Sequence, residues 1–207
     1  MGNVDILKRN LSLLAILFFL LFVISLFSVS YFSVIFLHLF IFCISLWLLW
    51  QKDLKNTLSR IGLGSLRTNI YYSILGIALI FVSAILLNIL LSHVGLNDEN
   101  RIVQTVNKLP VYVLIFGILF APFSEELCFR AYLSKRLAFF PHSGILLSSI
   151  LFSLVHFVYG SIYEFAGTFF IGLILAAIYT KSRSIVPCIV IHILFNFLSI
   201  SIIYSVR

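Results

Sequence analysis

Three short stretches carry side chains capable of chemistry in a chain otherwise dominated by hydrocarbon. The first reads Phe123-Ser124-Glu125-Glu126-Leu127-Cys128-Phe129-Arg130, the second runs from Phe152 to His156, and the third from His192 to Asn196. A carboxylate beside an imidazole can hold a water and take its proton. A second imidazole with a carboxamide can donate hydrogen bonds to the oxyanion formed when that water attacks an amide. Glu126 and Arg130, four residues apart, share a helix face and suit an internal ion pair. That pairing leaves Glu125 unexplained, because its neighbour on the same face is Phe129. His192 and Asn196 also point to one side of their helix. A lone histidine in an apolar helix is ordinarily a satisfied core residue. Two histidines, an asparagine and a glutamate on separate apolar runs are harder to account for in that way.

The elements that must position these groups are membrane spans. Of 207 residues, 62% are hydrophobic and only 10% charged, with a mean hydropathy of +1.16. A chain of this composition cannot keep its surface in water, so lipid is its solvent. Runs long enough to cross a bilayer are Leu11 to Val29, Phe32 to Trp50, Ile70 to Ser92, Pro110 to Ser134, Gly144 to Tyr159, Tyr163 to Thr180 and Ile185 to Tyr204. The sequence thus predicts an all-α polytopic bundle of about seven spans forming one transmembrane domain over residues 1–207, with the chemical motifs inside 110–204. Lys8 and Arg9 precede the first run, but its length and lack of a small-residue cleavage pattern read as a retained span rather than a signal peptide.

The net charge of +7 follows the spans, not a nucleic-acid partner, for no basic stretch is long enough to track phosphates. With the N-terminus cytoplasmic, the inner loops hold Lys8, Arg9, Lys52, Lys55, Arg60, Arg67, Lys135, Arg136, Lys181 and Arg183. The outer loops hold only Arg101, Lys108 and Arg207, a strong bias for this topology. Within the Gln51 to Asn69 loop, Ile61, Leu63 and Leu66 suggest a short amphipathic segment on the inner leaflet. Cys43, Cys128 and Cys188 lie in apolar runs without C-x-x-C spacing and read as structural thiols. From the inner ends of their spans, Glu125 lies roughly 14 Å deep, His156 roughly 18 Å, His192 roughly 10 Å and Asn196 roughly 16 Å. Residues from helices of opposite direction therefore converge on one layer, nearer the cytoplasmic face.

The set E-E-x-x-F-R (Glu125, Glu126, Phe129, Arg130), F-x-x-x-H (Phe152, His156) and H-x-x-x-N (His192, Asn196) resembles the motifs of the CAAX-protease and bacteriocin-processing family, the Rce1-like intramembrane glutamic endopeptidases. The likeness covers about half of the chain, from Pro110 to Tyr204, and leaves the first three spans uncovered. It implies that Glu125 and His156 activate water and that His192 and Asn196 form an oxyanion hole. Glu126, Arg130, Phe129 and Phe152 would support them. It implies no metal or other cofactor, and a lipidated or membrane-associated peptide or protein as substrate in the lipid bilayer. The expected location is a prokaryotic cell membrane. Other readings of the same residues are a zinc metalloprotease using Glu126, His156 and His192, although there is no H-E-x-x-H, and a Cys128 nucleophile, which the nearby carboxylate disfavours. From different classes come a non-proteolytic bacteriocin-immunity or binding protein and an ion-coupled transporter with a proton relay.

Overall fold

The computed structural model describes residues 31–50, 54–157 and 160–205. Among them the regular elements are all helical: α1 Tyr31–Leu49, α2 Leu54–Ile61, α3 Leu66–His93, α4 Asn100–Asn107, α5 Val111–Leu119, α6 Ala121–Glu126, a π-helix π1 Leu127–Leu133, α7 Ser134–Arg136, α8 Ser143–His156, α9 Ile162–Ser182 and α10 Val186–Ser205. Lys55–His93, Val111–Arg136, Ile162–Ser182 and Val186–Ser205 are long and apolar enough to cross a membrane, and Val34–Leu49 and Ser143–His156 are shorter apolar helices. These correspond to the second through seventh expected spans. The first, Leu11 to Val29, lies outside the described residues. Of the amphipathic segment expected after Trp50, residues 54–61 are helical as α2 with Thr57 and Ile61 buried, whereas Leu63 lies in the loop that follows and Leu66 opens α3, both exposed.

The fourth expected span is not one straight rod. Pro122 lacks an N–H and cannot continue the ladder of α5, so the helix breaks at Phe120 and restarts at Ala121 with the proline in its first turn. Six residues on, immediately after the paired glutamates, the winding loosens into π1. π-Segments inside α-helices redirect side chains and recur at functional sites. All seven residues of π1 are buried.

Small residues bring the remaining helices close, as lipid-embedded bundles require when the hydrophobic effect does not drive helix against helix. A Cβ on Gly172 of α9 would stand 3.1 Å from the Ser149 Cβ of α8, and Ser153 Oγ donates across the same seam to the Phe165 carbonyl at 3.0 Å. A Cβ on Gly144 would meet the Ser134 carbonyl oxygen at 2.1 Å, so only glycine lets α8 start against α7. Along α1, Ile41, Ser45 and Leu49 are buried at one-turn intervals and face α6 and π1.

The two ends of the bundle differ in charge as expected. At one end, Lys135 Nζ donates to the Arg60 carbonyl at 2.5 Å and Tyr179 Oη to the Ile61 carbonyl at 3.1 Å. Ile185 N–H donates to Gly62 O at 2.9 Å there, so the expected inner loops meet. At the other end, Arg101 donates to the Gly160 carbonyl at 2.6 Å, and Asp98 accepts from Ser161 Oγ and from the Ile162 and Tyr163 N–H groups at 2.8–3.0 Å. Asp98 thus anchors the loop after α3 to the open N-terminus of α9, where free N–H groups favour a carboxylate. Partial burial pushes its carboxyl upward, but hydrogen bonds from Tyr163, Ser161 and Ile162, with Arg101 nearby, outweigh this and hold it below the ordinary carboxylate value.

Two substitutions test these anchors. Gly62 has φ +78°, and a Cβ there would sit 2.2 Å from the Arg183 carbonyl oxygen. Gly62→Ala should therefore cost about 1–3 kcal/mol or more, seen as a lower thermal midpoint in detergent. Because the Asp98 carboxyl is depressed on folding, its contribution is complete above the ordinary value and lost as pH falls through the folded one. Asp98→Asn should lower the midpoint at neutral pH and flatten the acid limb of the stability curve. An unchanged acid limb would remove Asp98 from this role.

Candidate active site

Glu125 and Glu126 close α6 just before the winding changes, and both are buried. Consecutive helical positions point about 100° apart, so the two carboxylates enter different surroundings. Glu126 is fully enclosed: Oε2 lies 3.0 Å from Arg130 Nε, and Oε1 accepts from His192 Nδ1 at 2.8 Å. The expected Glu126–Arg130 pair is present as an ion pair, although its angles do not align for a hydrogen bond. Arg130 is 1% exposed, and its guanidinium lies 4.4 Å over the centre of the Phe152 ring, a cation–π arrangement that partly replaces lost hydration.

Phe152 is the packing centre of the site. Its ring centroid is 5.2 Å from that of Phe129, 4.5 Å from His156 and 5.9 Å from His192. One buried aromatic ring thus separates and orients both expected histidines while its face receives the cation. His156, the last residue of α8, directs Nδ1 to the Phe152 carbonyl at 2.8 Å and lies within electrostatic range of Glu125. Since a carbonyl only accepts, Nδ1 carries the proton in this contact.

Glu125 Oε2 lies 3.7 Å from His192 Nε2, so the His192 ring spans the two glutamates. Asn196, one turn farther along α10, donates its amide to the Gly117 carbonyl of α5 at 3.2 Å. The tether fixes Asn196 beside the break in the fourth span rather than against a glutamate. Cys128 is 2% exposed, in π1 against α1, with Ser45 within hydrogen-bonding reach. That is a structural position and gives no support to a nucleophile. Among the described residues, no three His, Cys, Asp or Glu side chains are arranged to hold one metal ion.

One neighbour was absent from the sequence reading. His38 of α1 approaches Glu125 Oε1 with Nε2 at 2.9 Å, while its Nδ1 lies 2.8 Å from the Val34 carbonyl. The available signal was a single histidine in the middle of an apolar run, with no motif partner on its own helix. Glu164, in the first turn of α9, also falls within electrostatic range of Glu125 and His156.

Residues 107–198 match a family model described as type II CAAX prenyl endopeptidase Rce1-like. That segment runs from the end of α4 through most of α10 and contains all three motifs. The resemblance read from those motifs is borne out over these residues: they are Rce1-like, and the family is one of proteases. No curated protein and no solved structure matches the chain. The four long apolar helices are those of an integral membrane protein, and residues 107–198 are similar to a family of proteases, whose substrates are peptides or proteins.

The buried ion pair yields a direct test. Arg130→Ala leaves the Glu126 carboxylate enclosed without its cation and opens a hole beside Phe152. It should cost about 3–5 kcal/mol, read as a fall in folded protein recovered from the membrane together with activity. Normal yield and thermal midpoint with selective loss of activity would move Arg130 from support to substrate contact.

Proposed function

We propose that the chain is an intramembrane glutamic endopeptidase, acting as one transmembrane unit, that hydrolyses a peptide bond of a lipidated or membrane-associated substrate. The observation that carries this reading is the arrangement of one histidine, His192, across two buried adjacent glutamates, of which only Glu126 is also paired with an arginine. Glu126 is therefore committed to structure, and Glu125 keeps one carboxylate oxygen, Oε2, without a hydrogen-bond partner.

In the proposed reaction, Glu125 with His156 holds a water and Glu125 accepts its proton. The hydroxide oxygen attacks the scissile carbonyl carbon, and the carbonyl oxygen becomes an oxyanion. His192, its Nδ1–H held by Glu126, donates to that oxyanion through a second hydrogen on Nε2, and the Asn196 amide hydrogen that Gly117 does not take supplies another donor. Collapse of the tetrahedral species breaks the C–N bond, and the proton on Glu125 passes to the leaving nitrogen. Phe129, Phe152 and Arg130 fix the ring positions on which the donors depend. The depth of these residues and the clustering of Lys135, Arg136 and Arg60 at the nearer end support cleavage close to the cytoplasmic leaflet of a prokaryotic cell membrane, with the N-terminus inside.

Purified protein in liposomes with a prenylated reporter peptide tests the assignment. Glu125→Gln should abolish cleavage, because an amide cannot take the proton from water. His192→Ala and Asn196→Ala should each cost on the order of a hundredfold or more in kcat. Membrane insertion should be unchanged in all three, and strong chelators should leave the rate intact. Loss of cleavage on chelation, restored by zinc in proportion to bound metal, would replace this mechanism with a metalloprotease. Full biological activity of Glu125→Gln would instead identify a binding protein.

A further inference from the structure

His38 lies outside the segment that matches the protease family and outside every motif in the sequence. Its surroundings nevertheless fix its protonation. The Val34 carbonyl, 2.8 Å from Nδ1, can only accept, so Nδ1 carries a hydrogen. Nε2 then faces Glu125 Oε1 at 2.9 Å. Two lone pairs do not meet at that distance, so one proton lies between the two groups. The pair is either imidazolium with carboxylate or imidazole with carboxylic acid.

The neighbourhood selects the ionic form. Glu126 has Arg130 as its cation, and His192 is held by Glu126 through Nδ1. Among the described residues, the groups within ion-pairing distance of Glu125 are His38, at 2.9 Å, and His192, at 3.7 Å. Both members of the His38–Glu125 pair are largely withdrawn from solvent, at 15% and 10% side-chain exposure. A lone carboxylate in such a place would take up a proton and cease to be a base. The other ionisable groups in electrostatic reach are His156, Glu126, Arg130, Cys128 and Glu164.

Resting on the protease reading above, we propose that His38 is a positioning residue: its imidazolium is the counter-cation of Glu125. It turns Oε1 toward α1 and leaves Oε2 for the attacking water. The proton moves from water to Oε2 and then to the leaving nitrogen, and the His38 proton stays in place throughout. The active site would then draw a residue from the N-terminal helices, which would be more than a scaffold for the Rce1-like segment.

The test uses full-length protein in liposomes. His38→Gln retains a hydrogen-bond donor for Oε1 but cannot carry charge. It should lower kcat about tenfold or more with KM within about twofold. Infrared difference spectra, with the Glu125 band assigned by Glu125→Gln, should show a carboxylate in the wild type and a protonated carboxyl in His38→Gln at the same neutral pH. An unchanged Glu125 band, or an unchanged kcat, would overturn the proposal. If His38→Gln does not fold, nitrogen NMR of labelled histidines decides: the number of doubly protonated imidazoles at neutral pH should be one fewer in Glu125→Gln than in the wild type. An equal number in the two proteins would overturn the assignment. Because both spectra read the pair without a substrate, they stand even if no cleavage is found and the protease reading fails.

Discussion

Two adjacent carboxylates and a guanidinium buried inside a lipid-embedded bundle are the constraint on which the rest of this structure depends. Insertion scales charge roughly 2.5–3.5 kcal/mol for one such group at the centre of a spanning helix. The fold offsets that cost locally. Arg130 lies 3.0 Å from Glu126 and stacks on Phe152, while His192 bonds Glu126 and His38 bonds Glu125. The groups come from α1, α6, π1, α8 and α10, so satisfying the charges requires the helices to assemble in one arrangement. A buried ion pair is weak evidence for stability, since matched hydrophobic residues often do as well.

The distorted fourth span is the device that makes this arrangement possible. Pro122 breaks the helix just ahead of the glutamates, and π1 rewinds it just after them. Between those two irregularities Glu125 faces α1 and Glu126 faces α10. Asn196 reaches back to Gly117, on the other side of the break, and ties the end of the site to the first half of the span. Small residues at Gly144, Ser149 and Gly172 then let α8 and α9 approach closely enough to place His156 in range.

Much of this was legible in the sequence because the governing signals are local. Hydropathy located six apolar helices among the described residues, within a few residues at each end, four of them long enough to cross a membrane. The basic loops gathered at one end as their charge bias required. Glu126 and Arg130 paired because helical geometry places positions four apart together. The motif spacing likewise marked Phe152 and His192, which converge around Arg130 and Glu126. The remainder depends on packing between distant segments. Nothing near His38 indicates that it meets Glu125, 87 positions away, and a single histidine in an apolar run reads as core. The proline at 122 was a visible signal for a break inside the fourth span, yet hydropathy alone describes that span as continuous. π1 has no comparable signal, because an i→i+5 ladder emerges from the packing of its enclosed residues rather than from their individual propensities.

The central claim is that water, activated at Glu125 inside the membrane, cleaves a peptide bond. It is tested most directly by following the oxygen. Wild-type protein in liposomes, given a prenylated peptide in heavy-oxygen water, should release a product whose new terminal carboxyl carries one heavy oxygen from solvent. Product formation with no label at that carboxyl, or no product from any membrane-anchored peptide offered, would contradict the account.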